Sequence, residues 1–116
     1  MLIRENEAKQ FDFDGLKMTD YTGGVDEGSS FAMVGVLPQV GHKLSWSKRS
    51  DKYYYILTGK ISFTVNDKEH ALSKGDLLII KKGEKFKYQN NSNEIVKMIL
   101  VHTPGIKLNQ EVFEDE

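Results

Sequence analysis

Residues Ser45 to Gly59 read SWSKRSDKYYYILTG, and this stretch decides the fold. In an extended chain Ser45 and Ser47 share one side while Trp46 takes the other. After a polar break the run Lys52 to Thr58, rich in aromatic and aliphatic residues, resumes the extended pattern and stops at Gly59. A second stretch behaves in the same way. In GDLLIIKKGEKFKYQN, Gly75 to Asn90, the aliphatic Leu77–Ile80 and the alternating Lys85–Gln89 flank a lysine- and glycine-rich turn.

Working outward, the pattern is short strands separated by turn residues, with no amphipathic helix. Phe11 and Phe13 alternate with polar neighbours, Gly15 interrupts, and Leu16 and Met18 resume. Thr22 to Ser30 has the glycine, serine and acid content of a loop. Strands are expected at Phe31–Leu37, His42–Ser47, Lys52–Thr58, Lys60–Val65, Lys68–Leu72, Leu77–Ile80, Lys85–Gln89 and Ile95–His102. Asn66-Asp67 suits a tight hairpin, because both residues tolerate positive φ. About ten short strands at close spacing predict an all-β barrel or sandwich. The acidic segment from Lys107 to Glu116 carries Val112 and Phe113 and is open to two readings, frayed or packed on the barrel or a partner.

Both stretches resemble the sequence motifs of the cupin family. The first cupin motif has the form H-x-H-x4-E-x6-G; here its histidines fall on Ser45 and Ser47 and its glutamate on Lys52. The framework residues Arg49, Ser50, Asp51, Tyr54, Tyr55, Leu57 and Gly59 match. In the second motif Gly75, Gly83 and Asn90 match, the proline position is Lys81 and the last ligand position is Phe86. The glycine expected before the first motif falls on Gln39. The resemblance covers roughly residues 31–105 and implies an all-β, cupin-type double-stranded antiparallel β-helix, a jelly-roll barrel with an internal pocket, and commonly a homodimer. It implies one domain over 1–116: N-terminal strands and loop to residue 30, the barrel over 31–105 and a tail over 106–116.

All four positions that hold the family's metal carry other chemistry. Serine is a poor ligand, phenylalanine has no lone pair and the Lys52 ammonium repels a cation. No metal and no cofactor are therefore expected. His42 and His70 lie before the first motif and in a hairpin between the motifs, and are expected at the surface or a sheet edge. If the ligand positions face the cavity, alternation brings Ser45, Ser47, Lys52, Tyr54, Phe86, Tyr88, Met98 and His102 into its lining. Such a mostly apolar site with a few polar groups suits a small molecule. Lys52 has two readings: a structural charge neutralised by a buried acid or reaching the barrel mouth, or a cationic centre for a carboxylate, phosphate or enolate oxygen.

The composition narrows the function. A formal net charge of -1 gives no attraction to nucleic acid or an acidic membrane, and no aliphatic run is long enough to span a bilayer. Absence of cysteine excludes disulfides, zinc–thiolate sites and thiol nucleophiles. The charged start MLIRENEAKQ has no leader-like core, so a cytoplasmic domain is expected. The functional expectation is a metal-independent barrel that binds a small polar or anionic ligand such as a sugar, sugar phosphate or keto acid. The alternative is a metal-free isomerase, epimerase or lyase working by proton transfer with Lys52, Tyr88 and His102. A third reading is a structural dimer with a filled barrel.

Overall fold

A computed structural model of the chain describes residues 1–23 and 28–114. Eleven strands form among them: β1 (Lys9–Phe13), β2 (Leu16–Asp20), β3 (Ser30–Val36), β4 (Gly41–Ser47), β5 (Asp51–Thr58), β6 (Lys60–Val65), β7 (Lys68–Ser73), β8 (Leu77–Ile80), β9 (Phe86–Gln89), β10 (Val96–Thr103) and β11 (Glu111–Phe113). They build two antiparallel sheets, one ordered β1-β2-β3-β10-β5-β8 and the other β11-β4-β9-β6-β7. This is the jelly-roll barrel expected from the motifs. The loop expected over Thr22–Ser30 lies partly outside the described residues, at 24–27.

Strand alternation explains why the sheets face each other. On β5, Lys52, Tyr54 and Ile56 are buried while Tyr55 is exposed, and on β10 Met98, Leu100 and His102 are buried while Lys97 faces solvent. The interior is closed by Tyr54, Phe63, Phe86, Ile56 and Met98, all essentially inaccessible. Tyr54, Phe63, Phe86 and Tyr88 pack ring against ring, with centroids 4.7–6.5 Å apart.

The framework residues of the motifs act on the loops. Asn90, with no exposed surface, donates through Nδ2 to the carbonyls of Val36 and Glu94 at 3.0 and 2.8 Å. Its Oδ1 accepts from Ser92 N and Oγ at 2.9 and 2.6 Å, so one side chain fixes the β3 exit and the β9–β10 turn. Ser50 Oγ donates to Pro104 O at 2.7 Å, Arg49 Nε to Gly105 O at 2.8 Å, and the Asp51 carboxylate accepts from Lys82 N at 2.8 Å. Gly59 turns at φ 85°, where a Cβ would lie 2.9 Å from Val96 Cγ2. Gln39, at the position where the family pattern has glycine, itself takes φ 66°. The turn survives there without the residue that makes it easy. Asn66 and Asp67, at φ 47° and 66°, form the expected tight hairpin between β6 and β7.

Up to Glu114 the segment after β10 is packed, not frayed; residues 115–116 lie outside the described residues. β11 pairs with β4 through Glu111↔Ser47, Val112↔Trp46 and Phe113↔Ser45. Its alternation sends Glu111 and Phe113 to the cavity described below and Val112 to the side of Trp46. Among the described residues no helix is long and apolar enough to cross a membrane.

Candidate functional site

A cavity of about 110 Å³ opens at the end of the barrel between the two sheets. The six-stranded sheet contributes Lys52, Tyr54, Leu100 and His102 to its wall. The five-stranded sheet contributes His42, Tyr88, Glu111 and Phe113. The mouth is roofed by Phe11 and Phe13 of the β1–β2 hairpin and by Ile106 and Leu108 of the strap leading into β11.

Lys52 sits at the polar centre. Its Nζ lies 2.8 Å from His102 Nε2 and forms a close ion pair with Glu111, and both side chains of that pair are only 5% exposed. Burial lowers the lysine pKa, while the Glu111 carboxylate favours the charged form. An ammonium can only donate, so His102 Nε2 accepts and its ring proton resides on Nδ1. Burial, and then the charge of Lys52, push His102 down to about 3. The Lys52 Nζ also lies 5.6 Å from the Phe86 ring centroid, within cation–π range. Of the two readings of Lys52, the structure shows the buried acid: Glu111, supplied by the last strand, is its counter-ion.

His42 stands across the cavity. Its Nδ1 lies 2.7 Å from Lys43 O, and a carbonyl can only accept, so Nδ1 carries the proton. Burial lowers its pKa, with the nearby Lys52 charge adding to the effect. In the resulting neutral ring Nε2 is an acceptor. The ring packs among aromatics, 5.2 Å from the centroids of both Phe86 and Tyr88 and 5.9 Å from that of Phe113. Tyr54 and Tyr88 meet edge to face at 5.8 Å, and burial raises both phenols well above the ordinary tyrosine range, which keeps them neutral. A further acceptor is Glu111 Oε2, buried with no hydrogen-bond partner.

The expected lining is thus half assembled. Lys52, Tyr54, Tyr88 and His102 border the cavity; Ser45, Ser47, Phe86 and Met98 do not. Phe86 and Met98 lie in the packed core, with no exposed surface. Ser47 Oγ accepts from the backbone N–H groups of Arg49 and Ser50 at 3.2 and 2.9 Å, which consumes it in the turn. Ser45 is buried, paired across the strands with Phe113 on β11.

The placement of His42 corrects the surface or edge expectation, and the reason is local. β4 pairs with β9 as His42↔Tyr88 but Ser45↔Phe86, a register shift of one residue. That β-bulge inverts the alternation and brings His42 to the same side as Ser45. His70 fits the expectation, lying on β7 at the edge of its sheet. Among the described residues no group of three or more His, Asp or Glu side chains is arranged to hold a metal ion. His42, His102 and Glu111 border one cavity, yet His102 Nε2 and Glu111 Oε1 are turned to the Lys52 ammonium, whose charge repels a cation. The donor set does not fit a cation.

Comparison with solved structures places this architecture among known proteins. Pac13, described as a unique nucleoside dehydratase, superposes with a TM-score of 0.86 at 22% identity, covering 98% of this chain and 90% of that one. A Streptomyces Pac13 variant in which one histidine is replaced by glutamine, solved with uridine, gives 0.87 at 21% identity over 98% and 90%. A predicted oxalate decarboxylase from Thermotoga maritima gives 0.80 at 20% identity, covering 90% of this chain and 99% of that one. The cupin domain of Schizosaccharomyces pombe Cnp3 gives 0.76 at 20% identity over 85% and 70%. No curated protein sequence matches significantly. At these identities the structural likeness speaks for the fold alone. The cupin domain model, however, matches residues 33–102, more than half of the sequence, and the chain belongs to the cupin family.

Proposed function

We propose that the cavity is a metal-independent enzyme site that acts by proton transfer on a small, neutral, hydroxyl-bearing molecule, with a nucleoside as the preferred class and elimination of water as the reaction. The observation that carries this reading is a buried acceptor without a donor, Glu111 Oε2, together with the neutral His42 ring, bordering one largely apolar cavity. Such groups recognise O–H and N–H donors. The anionic ligand class is disfavoured, because Glu111 already neutralises Lys52; a phosphate would have to displace a buried carboxylate from a buried ammonium. The likeness to a nucleoside dehydratase over 98% of this chain supports the same class.

The roles follow from the protonation states. His42 Nε2 is the base that removes a proton from carbon next to a carbonyl, as its neutral form allows. Lys52, held by Glu111 and His102, stabilises the negative charge that builds on the carbonyl oxygen. Tyr88, kept as a neutral phenol, gives its proton to the departing hydroxide, which leaves as water. The phenolate is reprotonated from His42 or solvent. Tyr54 and Leu100 fill the apolar wall. At about 110 Å³ the cavity accommodates the reacting sugar end, and the rest of the molecule lies between the β1–β2 hairpin and the 106–110 strap.

The test is calorimetric titration with uridine and with uridine monophosphate, followed by mass spectrometry for loss of one water from hydroxy-carbonyl nucleosides. Uridine binding that weakens in Glu111→Gln, with turnover reduced about 10²–10⁴-fold in His42→Gln at unchanged melting temperature, is the expected result. Tighter binding of the phosphate than of the nucleoside would return the site to the anionic class. Saturable binding with no product from any such substrate would make the protein a binder.

A further inference from the structure

We infer that the outer side of the 106–110 strap forms a phosphate site, in which a phosphoryl dianion bridges Lys48, Lys82 and Lys107 and clamps the strap to the barrel. The site shares no residue with the cavity and stands independently of the proposed reaction. It is a second recess, of about 460 Å³. Its wall takes Lys48 and Arg49 from the β4–β5 turn, Lys82 from the β8–β9 turn, and Lys107, Asn109 and Gln110 from the strap. Among the described residues no carboxylate borders it.

Hydrogen bonds that do not involve the lysine side chains hold these segments together. Gly83 N donates to Ser47 O at 2.9 Å and Lys48 N to Gln110 O at 2.8 Å, so the β4–β5 turn ties down both the β8–β9 turn and the strap. Ser50 Oγ and Arg49 Nε donate to the carbonyls of Pro104 and Gly105, where the strap begins. Like charges kept around one recess by such a frame raise its positive potential and favour an anion between them. Neighbouring cations on the β8–β9 turn behave differently. Lys81 meets Asp51 at 3.3 Å and Lys85 meets Glu114 at 3.0 Å. Asp51 accepts from the Lys82 backbone N–H, not from its ammonium. Among the described residues Lys48, Lys82 and Lys107 form no ion pair.

The donor chemistry selects the ligand. Ammonium groups only donate, and the side-chain amides of Asn109 and Gln110 can donate beside them. A phosphate or phosphate monoester, with about two negative charges near neutral pH and several strong acceptor oxygens, matches that set through charge-assisted hydrogen bonds. The strap gives the site its consequence. Its residues alternate, Ile106 and Leu108 toward the cavity and Lys107 and Asn109 toward the recess. Ile106 and Leu108 are 39% and 68% exposed, so packing alone holds this roof lightly. An anion that joins Lys107 to Lys48 and Lys82 fastens it from outside.

Calorimetric titration of the full chain with inorganic phosphate and with uridine monophosphate, in chloride at constant ionic strength, tests the site; amide hydrogen exchange tests the clamp. Saturable phosphate binding is expected, unchanged in the cavity variant His42→Gln. It should weaken about tenfold or more in Lys48→Gln combined with Lys107→Gln, at an unchanged melting temperature. Tighter binding of inorganic phosphate marks the free ion as the ligand, and tighter binding of the nucleotide marks an ester; either supports the site. Backbone amides of the strap should exchange more slowly at saturating phosphate. No saturable binding above the chloride background, binding that survives the double variant, or strap exchange unaltered at saturation would each overturn the inference. A nucleotide held in the cavity by its phosphate would bind the double variant as well as the wild type, which tells the two sites apart.

Discussion

Ser45 and Ser47 on β4 and Lys52 and His102 on β5 and β10 are all buried, yet they differ in what surrounds their polar atoms. The Ser47 hydroxyl is spent on the backbone of its own turn, and Ser45 is buried beside its β11 partner Phe113. Lys52 and His102 border the cavity and draw Glu111 to them from the other sheet. A small hydroxyl meets its needs locally, whereas a buried ammonium cannot, and it forces a distant segment to bring a counter-charge. Positions equivalent in a motif therefore have unequal energetic reach.

The largest effect that separates the two halves is expected from Glu111→Ala. It leaves Lys52 buried and unpaired, and denaturant unfolding should show a loss of about 3–5 kcal/mol. Replacing both partners, as Lys52→Met with Glu111→Leu, should recover most of that loss, because no charge is then left desolvated. A double variant as unstable as the single one would show that Glu111 matters through packing and not through charge.

Acid provides the next test. Burial holds His102 down to about 3 from an ordinary value of 6.5, so between those pH values the unfolded chain binds a proton that the folded chain refuses. Stability is fully present above about 6.5 and falls as pH drops toward 3, by up to about 1.4 kcal/mol per pH unit for this group. His42, also lowered, adds in the same direction. Thermal melts across this range should lose part of their slope in His102→Gln; an unaltered slope would remove His102 from the account.

The smallest effects belong to the serines. Ser47→Ala removes the acceptor of two backbone N–H groups and should cost about 1 kcal/mol. Ser45→Ala should stay within about 0.5 kcal/mol, as no hydrogen bond of its hydroxyl holds the structure together. Equal losses at the two positions would show that both hydroxyls serve the fold alike.

The barrel was legible because its turns and alternation are local. Gly59, Gly75, Gly83 and the Asn66-Asp67 pair mark turns wherever they stand, and every positive φ among them is realised. Lys52, Tyr54, Tyr88 and His102 could be brought to one interior because alternation holds along β5, β9 and β10. His42 could not, because the bulge in β4 has no residue signature of its own. One trace of it was present: unbroken alternation with Ser45 inside would have put Lys43 in the barrel as well. Glu111 lies 59 residues from Lys52, and no periodicity links the two. Only the cost of burying a lysine pointed to an acid somewhere in the chain.

The late position of Glu111 has a consequence for biosynthesis. On the ribosome the strand carrying Lys52 emerges long before the carboxylate that neutralises it, and β3 and β5 wait for β10, which lies between them in the sheet. Until residue 111 has left the exit tunnel, the nascent barrel has an interior charge without its counter-ion. The chain should therefore hold its first hundred residues uncommitted and close the barrel and complete the site in one late event.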